Sequence, residues 1–343
     1  MLRRLLNEMT IHVEAMGHSP LLIKDGRFIK SDWFPEKSDP AKKAADNIFV
    51  SRNRLREEVV KAAEDPTQGA NLKWYIPGAS VRGSWRSHLE ERLRSLNPDK
   101  PTVCDPLLGK EETDPNRKVW ESCSTVLVRE ENPRPKKAYK GSCPVCRLFG
   151  STAQASRISF SDGQVTAGRG ELVDNVAINR FTGAVISPFK SLALVDAAFT
   201  LDLRLENFEL WQAGLLAILF GDLREKRVPL GFGKNKGWGE ISAGATRIEV
   251  AYYGSMDRGA DGKLRGIGEL MSAEDLQFYG VTPGTPPAVA LTANASGNSP
   301  WRHSWVANGT EAARAFWSAV EPAFQPGWKP LPDLSTRARR AEA

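Results

Sequence analysis

Residues 74–96 read WYIPGASVRGSWRSHLEERLRSL. A short apolar run stops at Pro77 and Gly78, which make a turn, and Ser80 is expected to cap the helix that follows. Val81, Trp85, Leu89, Leu93 and Leu96 then recur at helical spacing, so one face is written for a core. Arg82 and Arg86 fall on a different face, and Arg86 can pair with Glu90 four residues on. Arg82 and Gly83 are left at the helix start. Free N–H groups with an adjacent arginine can hold a phosphate there; the plainer reading is a capped surface helix with a solvated arginine.

Upstream, TIHVEAM (10–16) places Ile11, Val13 and Ala15 on one face of a half-buried strand. Residues 17–50 are irregular and hold Asp25, Asp32, Asp39 and Asp46. SRNRLREEVVKAAE (51–64) has a helical pattern. Downstream, RISFSDG (157–163) reads as a strand entering a turn. Residues 164–190 read as a hairpin with Gly183 in its turn region, and 191–206 alternate as a strand again. NFELWQAGLLAILFGDL (207–223) predicts a second helix on Phe208, Trp211, Leu215 and Leu219. In PLGFGKNKGWGEIS (229–242), four glycines surround Lys234 and Lys236, which suits close approach to a bulky anion as well as a merely flexible loop. IEVAYY (248–253) reads as a closing strand.

Two strand–helix–strand halves in this order predict an α+β fold resembling an elaborated ferredoxin-like sheet packed by helices. Residues 1–253 form the expected core and 254–343 an extension. The extension is rich in Gly, Pro, Ser and Thr, carries Trp301, Trp305, Trp317 and Trp328, and has one expected helix, TEAARAFWSAVEPAF. The four tryptophans imply burial against the main body or a neighbouring subunit.

All four cysteines, Cys104, Cys123, Cys143 and Cys146, lie between residues 104 and 146. C-P-V-C has the two-residue spacing that turns two thiolates onto one metal, and two further cysteines complete a tetrahedral zinc set. A redox pair at Cys143 and Cys146 and buried free thiols are the competing readings. A closed four-thiolate site leaves no position for catalysis, so Zn2+ there would be structural and would pin an insertion over residues 97–146.

The chain has 343 residues, with 47 Lys+Arg against 41 Asp+Glu and a net charge of +6. Apolar residues make up 41% and charged residues 26%, which excludes a wholly disordered chain. No apolar run approaches the roughly 20 residues of a membrane span. The first residues, MLRRLLNEMTIHVE, lack a sustained apolar region and a cleavage site, so we expect a cytoplasmic protein. A charge of +6 names no partner until the basic residues are placed.

IPGASVRGSWR (76–86), CRLFGSTAQASRISFSD (146–162) and LGFGKNKGWGEI (230–241), in this order, resemble the RAMP superfamily of CRISPR-associated proteins. More narrowly they resemble the Csm/Cmr-type backbone subunit of type III effector complexes. The four cysteines running into LFG resemble the zinc-bearing type III-D and III-E variants. The resemblance covers roughly residues 8–250.

The resemblance implies a modified ferredoxin-like, RNA-recognition-type core with a β-hairpin thumb, here within 164–190. It implies binding to a CRISPR guide RNA, a target RNA and other RAMP subunits. Ser80, Arg82 and Gly83 align with the family's guide-backbone loop. Lys234, Asn235 and Lys236 align with its glycine-rich signature. Arg180 and Phe181 fall near the thumb tip, where an aromatic ring suits a wedge between bases, packing within the hairpin being the alternative. Active members cut target RNA with an aspartate in a D-S/N-P-V-I segment and Mg2+ or Mn2+. AADNIFVSRN (44–53) puts Asp46 at that position, with Ile48 in place of the proline and Asp25, Asp32 and Asp39 as rivals. The alternatives are an inactive structural subunit and a metal-independent guide-processing endonuclease using His18 or His88.

Overall fold

The structure, a computed structural model, describes residues 4–25, 47–52, 58, 61, 72–96, 102–105, 122–129, 135–254, 261–294 and 298–325. Asp32, Asp39, Asp46 and Trp328 lie outside the described residues, as does most of the helix expected over 51–64.

Strand β1 (Asn7–Gly17) buries Met9, Ile11, Val13 and Ala15 and turns Thr10, His12, Glu14 and Met16 to the other face. Its period of two is the pleat of a sheet with one buried face. It lies between β6 (Val185–Glu206) and β7 (Ile241–Tyr253), antiparallel to both. The sheet runs β3–β5–β6–β1–β7–β9–β8, with β3 at Tyr75–Ile76, β5 at Gly163–Ile178, β8 at Thr292–Ala293 and β9 at Arg302–Asn308. Two short strands, β2 (Asn47–Ile48) and β4 (Ile158–Phe160), also pair with β6, the first of them parallel to it.

Helices cover the inner face. Helix α1 (Gly78–Ser95) buries Val81, Trp85, Leu89 and Leu93, as its sequence stripe requires, but leaves Leu96 exposed past its end. Trp85 meets Phe160 and Phe220 edge-on, with centroids 5.5 and 5.8 Å away. The helix starts earlier than expected: Pro77 holds the cap position and Ser80 lies inside the first turn. Helices α2 (Cys123–Arg129), α3 (Pro135–Gly141) and α4 (Pro144–Phe149) follow in the cysteine-bearing region. Helix α5 (Leu210–Arg224) is apolar nearly all round and opens with a capping box of Glu209 and Gln212. It is apolar on both sides because the sheet lies on one and α7 (Thr310–Val320) packs on another, Phe220 stacking on Trp317 at 4.9 Å.

The segment beyond residue 254 is built into this body. Strand β9 pairs with β7 along seven residues, so 248–253 is an interior strand rather than a closing one. Trp305 meets Tyr252 edge-on at 5.7 Å, while Trp301 remains 69% exposed. A Cβ on Gly214 of α5 would stand 2.6 Å from the Phe324 backbone N, so that glycine is what lets the segment close down. A short helix, α6 (Ala273–Tyr279), lies between.

Strands β5 and β6 form one long ribbon, where the sequence had suggested a hairpin and a separate strand. From Lys190 to the tip they pair only with each other among the described residues. The glycine segment is not a flexible loop. Lys234–Lys236 is one 3-10 turn bounded by Gly233 and Gly237, both left-handed at φ 83°. Gly239 has φ 75°, and a Cβ there would stand 1.9 Å from the Leu230 carbonyl oxygen. Left-handed strain and that clash together predict that Gly239→Ala costs at least about 3 kcal/mol. Thermal unfolding of the variant should show a midpoint several degrees lower.

Candidate nucleic-acid interface and metal centre

The four cysteine sulfurs lie within 4.8 Å of one another, and all four side chains are buried and free of disulfides. Cys104 and Cys146, and Cys104 and Cys143, are 3.7 Å apart at sulfur. A tetrahedral zinc with Zn–S bonds of about 2.3 Å requires sulfurs about 3.8 Å apart, so the donor set fits that ion. Cys143 sits at the cap of α4 and Cys146 in its first turn, which is how the two-residue spacing turns both sulfurs one way.

Donors surround the sulfurs. The Cys143 N–H points at Cys123 Sγ (3.3 Å) and the Cys146 N–H at Cys143 Sγ (3.4 Å). Arg86 Nη2 donates to Cys146 Sγ at 3.4 Å and Nη1 to the Gly150 carbonyl. Four thiolates on a divalent ion leave net negative charge in a buried place, and a guanidinium beside them offsets part of it. Burial opposes the charge on Arg86, but the Glu90 bond and the nearby cysteines outweigh it and raise its pKa. Hydrogen bonds from the neighbouring thiols, Cys104 first, pull Cys123 down, whereas burial pushes Cys143 up. Sequence pairing of Arg86 with Glu90 is borne out at 2.8 Å, but its reach to the cysteines was not legible from spacing.

The insertion is tied to the body by buried polar groups as well. Tyr139 donates to Glu209 at the cap of α5, and the Arg147 guanidinium donates to the carbonyls of Ser142, Lys140 and Gly280.

At the start of α1, the N–H of Gly78 donates to Asp162 Oδ1 at 3.0 Å. The positive end of the helix is thus already met by a carboxylate. Arg82 is half-buried and donates to the Phe149 carbonyl; burial, then Arg86, lowers its pKa. Ser80 is half-exposed, and Gly83 is exposed with open space around it. Ser84 Oγ donates to the Pro229 carbonyl at 2.6 Å, which brings the α1 start beside the entry to the glycine turn.

The glycine turn in turn meets the root of the ribbon. Lys236 Nζ donates to Asn175 of β5 and stands over the rings of Trp238 (4.3 Å), Phe189 of β6 (5.0 Å) and Phe232 (5.3 Å). Burial, then Lys24, lowers the Lys236 pKa. Lys24 itself stands 3.7 Å over Phe232. So Lys236 clamps the turn to the ribbon; all three residues of the turn, Lys234, Asn235 and Lys236, are exposed, and among them the bond to the ribbon is made by Lys236. Lys24, Asn175 and Phe189 carry no sequence signal, because their meeting spans three distant segments.

At the ribbon tip the Asn179 side chain accepts from the N–H groups of Phe181 (2.8 Å) and Thr182 (3.3 Å), and Gly183 takes φ 68°. Phe181 is 100% exposed beside exposed Arg180, so it does not pack within the hairpin. Ile178, Val185 and Ile186 are exposed around it.

Asp25 is buried, and its N–H donates to the carbonyl of Ile48 (3.0 Å). Asn47 and Ile48 pair with Ser191 and Leu192 just beyond the ribbon root. His18 Nε2 lies 2.7 Å from Ser242 Oγ. His88 Nε2 lies 2.8 Å from Asp222 Oδ2, with both side chains close to 90% buried. His12, not singled out by the sequence, pairs with Asp202 at 2.5 Å on the outer sheet face.

Compared with family models, the chain matches that of the RAMP superfamily over residues 17–242, more than half its length. No curated protein matches it. No described helix is long and apolar enough to cross a membrane.

Proposed function

The chain belongs to the RAMP superfamily, and we propose that it is a guide-RNA-binding backbone subunit of a type III CRISPR effector complex that also cuts target RNA. Membership implies a CRISPR-associated RNA-binding subunit; the finer reading is ours. One observation carries it. The Lys236 clamp joins the glycine turn to the root of a long ribbon, giving one surface with Lys234 and Asn235 at one end and Arg180 and Phe181 at the other.

In this reading the ribbon is the thumb and Phe181 wedges between bases. Ser80, Arg82, Gly83, Lys234 and Asn235 line the guide backbone, and Lys236 acts mainly by holding the turn. Such contacts position a strand without reading its sequence. In this reading the cysteine centre would hold Zn2+, which supports the likeness to the zinc-bearing variants. The reading also places the protein in the cytoplasm beside other subunits of its kind.

For cleavage, a 2′-OH attacks the adjacent phosphorus, the 5′ oxygen leaves, and a 2′,3′-cyclic phosphate and a 5′-OH result. Asp46 is our candidate to take the 2′-OH proton or to hold Mg2+ or Mn2+, whose charge would stabilise the phosphorane. The reading without cleavage draws on Ile48, which is buried and paired as strand where active members carry proline. For a histidine-based endonuclease, His88 is disfavoured by its burial beside Asp222, whereas His18 is exposed beside Ser242.

RNA binding is tested by fluorescence anisotropy with single-stranded RNA at 50 and 200 mM salt. Lys234→Glu and Arg180→Glu should each weaken binding and make its salt slope shallower by about one. Unchanged affinity in both variants overturns the surface assignment.

A further inference from the structure

A groove of about 630 Å3 lies away from the clamp, between Arg52 with Lys73–Tyr75 on one side and Gly163–Gly168 of β5 on the other. Its volume is that of a small-ligand site. The Arg52 guanidinium lies 4.7 Å over the Tyr75 ring, and Arg52 Nη2 bonds Asp162 Oδ2 at 3.0 Å. Trp74 is half-exposed and braced edge-on by Phe49 at 5.8 Å. Lys73 is exposed beside them. The opposite wall is the β5 stretch Gly163–Gly168, with Gln164, Val165, Thr166 and Ala167 between its glycines. Beyond Gln164, the outer edge of β5 has no further strand partner among the described residues, and glycines stand at 163 and 168.

We propose that this groove is a stacking subsite for one unpaired nucleotide of a single-stranded RNA. The proposal rests on the RNA-binding reading above. Planar side chains, a cation and a peptide edge without a further strand partner among the described residues together suit a base, its phosphate and its polar edge. A flat base extends the Arg52–Tyr75 stack, Lys73 meets the phosphate, and the β5 peptide edge bonds the base. Asp162 adds no net repulsion, because Arg52 and the Gly78 N–H already bond its two oxygens. That same Asp162 joins the groove to the start of α1, the helix that carries Ser80 and Gly83.

The test uses the full chain and two fluorescent probes, a ten-residue oligouridylate and a ribose-phosphate oligomer of equal length without bases. Tyr75→Leu should weaken oligouridylate binding roughly tenfold, as for one lost stack, and leave the abasic probe unaffected. Lys73→Glu should weaken both. If both variants bind like the parent while Lys234→Glu does not, the subsite is overturned and the RNA reading stands. If the parent binds neither probe, the RNA reading fails as well. Photocrosslinking of a 4-thiouridine oligomer to the unsubstituted protein reads the same contact without a substitution. Adducts within residues 72–76 support the subsite, and adducts confined to other segments overturn it.

Discussion

Cys143→Ser should empty the metal centre and unfold the insertion that it holds. Purified protein is expected to fall from one zinc per chain to nearly none, read by metal analysis, with a large drop in thermal midpoint. The local helices explain the size of the effect. α2, α3 and α4 have seven, seven and six residues, below the length at which a helix is stable alone. Structural zinc contributes about 10–16 kcal/mol in zinc-finger peptides, and here it is asked to hold three such pieces. We expect a loss of at least about 3–5 kcal/mol, since a lost ligand also leaves buried thiols crowded together. The damage should spread to α1. Arg82 is anchored on the Phe149 carbonyl, and Arg86 on Gly150 and Cys146. A chelator applied to the parent protein should reproduce the effect. Natively purified parent protein with no zinc would sink the assignment.

Asp46→Ala should slow target cutting at least about a hundredfold while leaving RNA affinity unchanged. That is the usual scale for removing a group that handles the proton in the transition state. The measurement is single-turnover cleavage of matched target RNA by the assembled complex in Mg2+. Cutting at the parent rate would end the role of Asp46. Asp25→Ala makes the contrast: Asp25 is buried, so its loss should register as instability before it registers as lost cutting. If no subunit position is cut in the parent complex, the inactive structural reading replaces ours.

The parts legible in the sequence are those with one buried face. β1 reads correctly because Met9, Ile11, Val13 and Ala15 face the core and their neighbours do not. α1 reads correctly because Val81, Trp85, Leu89 and Leu93 form one stripe. The ribbon reads as two pieces in the sequence for the opposite reason. Val176, Ile178, Val185 and Ile186 are all exposed, so no alternation marks one face as inner. β9 is not legible in the sequence because it lies within a Gly- and Pro-rich context, and its pairing with β7 is a long-range choice. The cap of α5 was placed early because Phe208 fits the helical period, whereas Glu209 and Gln212 set the actual start.

The sequence by itself determined the cysteine set, the two amphipathic patterns and the glycines that only a left-handed turn needs. These are properties of residue type and near spacing, which short-range physics reads directly. Only the tertiary structure decided what each charge does. Arg86 turns to the cysteines, Asp162 takes the start of α1, and Lys236, though exposed, bonds Asn175 and stands over three rings. The physical reason is that a side-chain charge is spent on whatever partner the fold brings within hydrogen-bond reach. Those partners lie 60, 84 and 61 residues away along the chain.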